Sequence, residues 1–176
     1  EPILRKLDCC QESDGGVALV VTTAERARDL PNAVAIEAVD TSHLEGGDIM
    51  YNYYHPEAGG FPEAGSLGKH LYKAAGLTPD DIDVCMIYEN FSPVVLLQLE
   101  ALGFCGAGEA GAFIADGHIG RGGSLPVNPN GGLLGEGYIH GMNNILEGVR
   151  QVRGTAANQT GEVGHVAVDF SAGPKP

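Results

Sequence analysis

Positive charge is scarce in this chain: ten Lys plus Arg stand against 23 Asp plus Glu, for a formal net charge of −13. A nucleic-acid-binding protein must neutralise a run of phosphates with clustered Lys and Arg. No such cluster is present, so nucleic acid is excluded as a partner. Long apolar runs are missing too; none approaches the roughly 20 residues that cross a bilayer. The opening residues, "EPILRKLDCC", lack the basic start and small-residue cleavage site of a secretion signal. These absences lead to an expectation of a cytoplasmic protein that does not engage membranes. Tryptophan is absent, and the four cysteines, Cys9, Cys10, Cys85 and Cys105, have neither zinc nor disulfide spacing. They are expected to be buried apolar thiols. His43, His55, His70, His118 and His165 are spread without metal spacing and read as structural, with no metal site.

What the chain has in quantity is glycine, 27 residues in 176, within a hydrophobic content of 43% that suits a buried core. Two β-branched runs, "GGVALVVTT" (15–23) and "AVAIEAVDTS" (33–42), read as strands, the first of them buried, with a brief helix "AERARDL" between. Residues 43–61 have no period and many glycines and tyrosines, the pattern of a functional loop; Tyr51, Tyr53 and Tyr54 there suit a ligand pocket or an interface. "PEAGSLGKHLYKAAG" (62–76) has proline in its first turn and glycine at its end, which predicts a helix. "VCMIY" (84–88) predicts a fully buried strand, followed by a helix over 92–103 with Ser92 as N-cap. The helix after Tyr138 carries Met142, Ile145, Leu146, Val149 and Val152 along one side, and "HVAVDF" (165–170) predicts a closing buried strand. Strand, short turn and helix in succession define a layered α/β fold. "GAGEAG" (106–111) spells G-x-G-x-x-G but follows a helix and lacks the later acidic residue, so it is not read as a dinucleotide site.

Two stretches join glycine freedom to polar side chains at strand-to-helix junctions: "YENFS" (88–92) and "NPNGGLLGEGYIHG" (128–141). Glycines let backbone approach a ligand closely, and N–H groups opening a helix favour negative charge. The candidate residues are Tyr88, Glu89, Asn128, Asn130, Gly131, Gly132, Gly137, Tyr138 and His140.

With "CCQESDGGVALVVTTAERARD", "AAGLTPDDIDVCMIYENFS" and "NPNGGLLGEGYIHGMNNILEGVRQVRG", in that order, the chain resembles the thiolase superfamily, above all the thiolase-like parts of sterol-carrier and lipid-transfer proteins. The resemblance implies a layered α/β/α fold: residues 1–42 the end of the first thiolase half and a linker, 43–61 a loop region, and 62–176 the second half. It also implies that most of the first half, with the part that carries the acylated cysteine, is absent here: either the chain is a fragment or that portion lies elsewhere. In true thiolases the position matched by Tyr88 is His or Asn, that matched by Tyr138 is the histidine of a Gly-His-Pro motif, and a catalytic cysteine stands near the last strand. Here both positions are tyrosine and "VDFSAGPKP" has no cysteine. Thiolysis needs a thiolate and an activating base, so that chemistry is expected to be lost.

Such departures are similar to those of the lipid-transfer-protein-type aldolases, which cleave steroid side chains carried as coenzyme A thioesters. The resemblance implies Tyr138 as base, its phenolate held by backbone N–H groups, Tyr88 as its partner in proton transfer or enolate binding, with these roles exchangeable, and His140 as reserve base. Asn128, Asn130, Gly131, Gly132, Gly137 and Glu89 would surround the substrate, with Asn128 and Asn130 either holding the turn or bonding the thioester. No cofactor is implied beyond the coenzyme A of the substrate. The implied partners are the missing first half, a second subunit and a small protein of OB-fold and zinc-ribbon type. An acyltransferase of the sterol-carrier kind and a non-catalytic lipid-binding subunit are the competing readings.

Overall fold

Val84, Cys85, Met86 and Ile87 form a strand, β1, in which every residue is buried. In this computed structural model, which describes residues 4–42 and 61–169, β1 pairs in parallel with β2 (Val166–Asp169), in the register Val84↔Val166 through Ile87↔Asp169. On its other edge β1 is held by the extended segment around Val127: the Cys85 N–H donates to Pro126 O at 3.1 Å and the Asn128 N–H to Cys85 O at 3.1 Å. A strand flanked on both edges and covered on both faces has no exposed side, which is why it reads as an unbroken apolar run.

Alternate residues of β1 serve two cores. Cys85 and Ile87 face Leu99, Leu102, Ala110 and Leu125, in a core built with α2 (Pro62–Ala75), α3 (Ser92–Ala101) and α4 (Ala110–Ala115). Val84 and Met86 join Val163, Val152, Val166 and Val168 on the opposite face, where α6 (Met142–Arg153) crosses the strands. Gly148 permits that crossing: a Cβ there would stand 3.1 Å from Val166 Cγ1, tighter than ordinary van der Waals contact. Helices, sheet and helix thus make the layered α/β architecture expected from the sequence.

The helix signals at 62–76 act as read, with Pro62 in the first turn and Gly76 in the left-handed conformation at the C-cap. Ser92 is not an N-cap but the first residue of α3; its hydroxyl donates to Asp8 Oδ1 at 2.8 Å. The strand expected over 165–170 is realised as Val166–Asp169, half-buried except at Asp169, and Phe170 lies outside the described residues.

Two further expectations, on the strands and on the thiols, are corrected. Residues 15–23 and 33–42 are not strands; around the short helix α1 (Ala24–Ala27) they run without a ladder, and Val20, Val21 and Val39 are 96%, 75% and 80% exposed. A strand exists through backbone hydrogen bonds to a neighbour, and no backbone ladder meets these segments among the described residues. On α6 the buried face is the polar one, Asn143, Asn144, Glu147 and Gln151, while Met142 is exposed and Ile145, Leu146, Val149 and Val152 are half-buried. The polar side chains are tied to loops: Gln151 Nε2 donates to Glu147 Oε1 at 2.8 Å and to Asn158 O at 3.0 Å, and its Oε1 accepts from Thr160. Of the four thiols only Cys85 is fully buried; Cys9, Cys10 and Cys105 are partly so, and all four are free.

Candidate active site

The site grows from the carboxyl end of β1. Asn128, at φ 47°, turns its amide against the last strand residue: the Ile87 N–H donates to Asn128 Oδ1 at 2.8 Å, and Asn128 Nδ2 donates to Ile87 O at 3.0 Å. Asn144 of α6 donates to the same carbonyl at 2.8 Å. The glycine loop and α6 are therefore both hung from the residue that precedes Tyr88. A short helix, α5 (Gly132–Gly135), and a turn ending in two left-handed residues, His140 at φ 49° and Gly141 at φ 77°, bring Tyr138 back over the strand end.

There the two phenols meet, their hydroxyl oxygens 2.7 Å apart and their rings edge to face with centroids 6.1 Å apart. His140 Nδ1 lies 3.3 Å from the Tyr88 hydroxyl, and its ring leans on that of Tyr138 at 4.8 Å between centroids. Tyr88 is buried, 4% exposed, whereas Tyr138 is half-buried and His140 exposed. Burial first, then the Tyr138 hydroxyl and the charges of Cys10 and Glu89, hold the Tyr88 phenol well above its ordinary ionisation range. Tyr88 keeps its proton.

The rest of the expected site supports this pair from behind. Glu89, itself 4% exposed, accepts from the Leu134 N–H at 3.1 Å under the first turn of α5. The side chain that accepts from a helix N–H is thus Glu89, while the Tyr138 hydroxyl meets Tyr88. Burial pushes the Glu89 carboxyl up, against the opposing pull of those N–H bonds. Gly132 is required above it, because φ is +59° and a Cβ would run into the Glu89 carboxylate. Asn130 Oδ1 accepts from the Gly132 N–H at 3.1 Å and its Nδ2 donates to Glu136 Oε2 at 2.7 Å. Of the two roles open to Asn128 and Asn130, both amides perform the turn-holding one. Gly131, at φ +103°, closes the same turn by donating to Asn128 O, and Gly137 donates to Gly132 O.

Sequence reading missed one contributor. Residues 9–13 pass between the two site loops: the Cys10 N–H donates to Asn90 O at 2.9 Å, Cys9 bridges Phe91, and Glu12 bridges Tyr138. Ser13 Oγ accepts from the Tyr138 N–H at 3.2 Å and donates to Gln11 O at 3.0 Å. Only the turn signal "SDGG" marked this place, and it carries no hint of what the turn would touch. Among the five histidines read as structural, His118 stacks on Phe113 and meets Ser124, while His70 and His165 face Asp40 and Glu37. His43, His55, Tyr51, Tyr53 and Tyr54 lie outside the described residues. Among the described residues no three His, Cys, Asp or Glu side chains converge as a metal site, and no helix is long and apolar enough to cross a membrane.

The thiolase C-terminal domain-like family matches residues 56–174. The chain belongs to that family. Among thiolase-like proteins it is 54% identical over 171 residues to the 17-hydroxy-3-oxo-4-pregnene-20-carboxyl-CoA lyase of Mycobacterium tuberculosis, covering 97% of this chain and 44% of the relative. It is likewise 54% identical over 172 residues to the steroid side-chain-cleaving aldolase of Thermomonospora curvata, with the same coverage. Sterol carrier protein 2 of Bos taurus is 30% identical over 181 residues, with 97% of this chain and 32% of the relative covered. The solved Ltp2-ChsH2(DUF35) aldolase superposes with a TM-score of 0.91 at 53% identity, over 94% of this chain and 44% of that one. This thiolase-like chain therefore spans less than half the length of the relatives it matches.

Proposed function

We propose that this chain carries the acid–base tyrosines of a retro-aldol carbon–carbon lyase that cleaves a steroid-type β-hydroxyacyl-CoA into a ketone and a shorter acyl-CoA. The observation that carries the reading is the 2.7 Å contact between the Tyr88 and Tyr138 hydroxyls at the strand end. Retro-aldol cleavage needs no acyl-enzyme; it needs a base for the β-hydroxyl and an acid for the departing enolate. Tyr138, the more open phenol, takes the hydroxyl proton as it passes its own along the contact to Tyr88. The O–H electrons become the ketone C=O, the bond between the α and β carbons breaks, and its electrons form the thioester enolate. Tyr88, which burial keeps protonated, donates first to the enolate oxygen as a hydrogen bond and then to its carbon. No proton is gained or lost overall, and coenzyme A enters only as part of the substrate.

The names of the two relatives at 54% identity, a lyase and an aldolase of steroid side chains, support the substrate class. Val20, Val21 and Val39, exposed here, favour assembly with the first thiolase half, and the same reading takes in a second thiolase-like subunit. A small OB-fold and zinc-ribbon partner, of acidic-surface-compatible charge, belongs to it as well, as does a cytoplasmic location with the four thiols reduced. The test is to incubate the full-length polypeptide with a tertiary β-hydroxyacyl-CoA and to look for ketone and shortened thioester. Tyr88→Phe and Tyr138→Phe should each lower turnover by about a hundredfold or more. Near-normal turnover by both variants overturns the reading; consumption of free coenzyme A by the parent enzyme points instead to an acyltransferase.

A further inference from the structure

The proton taken from the substrate must rest somewhere between breaking the carbon–carbon bond and protonating the enolate. Neither phenol offers that place, since a neutral phenol that accepts a proton must release its own at once. Ionising Tyr88 in advance is disfavoured by its burial. Among the described residues, the His140 imidazole lies within hydrogen-bond reach of the pair and can hold an extra proton: its Nδ1 is 3.3 Å from the Tyr88 hydroxyl.

Resting on the lyase reading, we propose that His140 is the proton reservoir of a three-membered relay, Tyr138 to Tyr88 to His140. The β-hydroxyl proton moves to the Tyr138 oxygen as Tyr138 gives its own to Tyr88 and Tyr88 gives its own to His140 Nδ1. The site then holds two neutral phenols, an imidazolium and the thioester enolate. In the return half, the Tyr88 proton goes to the enolate carbon and the imidazolium proton replaces it on Tyr88, so atoms and charge balance and every group ends as it began. The geometry suits this order. Tyr88 is the middle member, touching both others, while His140 alone is exposed and so can carry positive charge against water. Other ionisable groups bearing on the middle member are Cys10 and Glu89. His140 holds a left-handed backbone, φ 49°, which a glycine or asparagine adopts more readily. The side chain, not the turn, accounts for histidine there.

The backbone makes a clean test. His140→Gly, in the full-length polypeptide, keeps the turn and opens a space beside Tyr88. Its kcat on a tertiary β-hydroxyacyl-CoA should fall about a hundredfold with KM little changed, and added imidazole should restore turnover saturably. A merely structural histidine would not be replaced by free imidazole. His140→Gly turning over at the parent rate, or a loss that imidazole fails to restore, overturns the relay. If the glycine variant does not fold, His140→Asn decides by the same loss or retention of kcat. Tyr88→Phe and Tyr138→Phe keep the two ideas apart: dead tyrosine variants beside an active His140→Gly remove the relay alone, whereas active tyrosine variants remove the lyase reading beneath it.

Discussion

Glu89 fills the volume that a side chain at Gly132 would need. The carboxylate lies against that α-carbon and accepts from the Leu134 N–H, so one buried acid sets the shape of the turn that leads to Tyr138. Gly132→Ala would face both a collision and a left-handed backbone at φ +59°. The expected result is destabilisation of about 1–3 kcal/mol or more, from strain and overpacking together. Urea unfolding measures it, and an alanine variant as stable as its parent would contradict the placement.

Ser13 grips Tyr138 from a segment 125 residues away, through a bond to its backbone N–H rather than its phenol. Ser13→Ala removes that acceptor at a cost of about 0.5–1.5 kcal/mol. Since the hydroxyl chemistry is untouched, kcat should fall severalfold at most. A loss as deep as that of Tyr138→Phe would show that Ser13 does more than position.

Glu147 is buried on α6, and burial pushes its carboxyl above the ordinary range although Gln151 and Arg150 pull the other way. A carboxyl raised in the folded state stabilises the fold below its unfolded pKa, and that contribution is lost as pH rises through the folded value. Glu147→Gln, still able to accept from Gln151, should therefore melt above the parent at neutral pH. The gap should close as pH falls to about 4. Thermal melts at several pH values check the sign.

Tyr88 should be reluctant to ionise, its proton held by burial. Following phenolate absorbance upward in pH, Tyr88→Phe should remove a late-titrating step. Removal of an early step instead would place the open phenol at Tyr88 and exchange the acid and base roles.

β1 was readable because all four of its residues are buried, a state that imposes an apolar run whatever the neighbours are. α2 was readable from Pro62 and Gly76, whose backbone preferences act locally. Residues 15–23 failed for the opposite reason: β-branched composition states a willingness to pair, and pairing depends on a neighbour that composition does not contain. On α6 the apolar stripe was legible but the burial of the other face was not, because Asn144 bonds the end of β1 and Gln151 bonds Glu147 and a loop carbonyl, contacts that no spacing in the sequence announces. The tyrosines, 50 residues apart, have no spacing that links them. They became candidates through their departure from a family pattern; His140 was a candidate by its place beside Tyr138, and its approach to Tyr88 is visible only in the fold.

The boundary of the matched family falls at residue 56, yet Cys10 and Ser13 clamp the loops on either side of the phenols. A polypeptide trimmed to that boundary would keep both tyrosines and lose the segment that bonds the backbones of Asn90 and Tyr138. The contacts around the two phenols therefore cross the border of the matched family and reach back to Cys9.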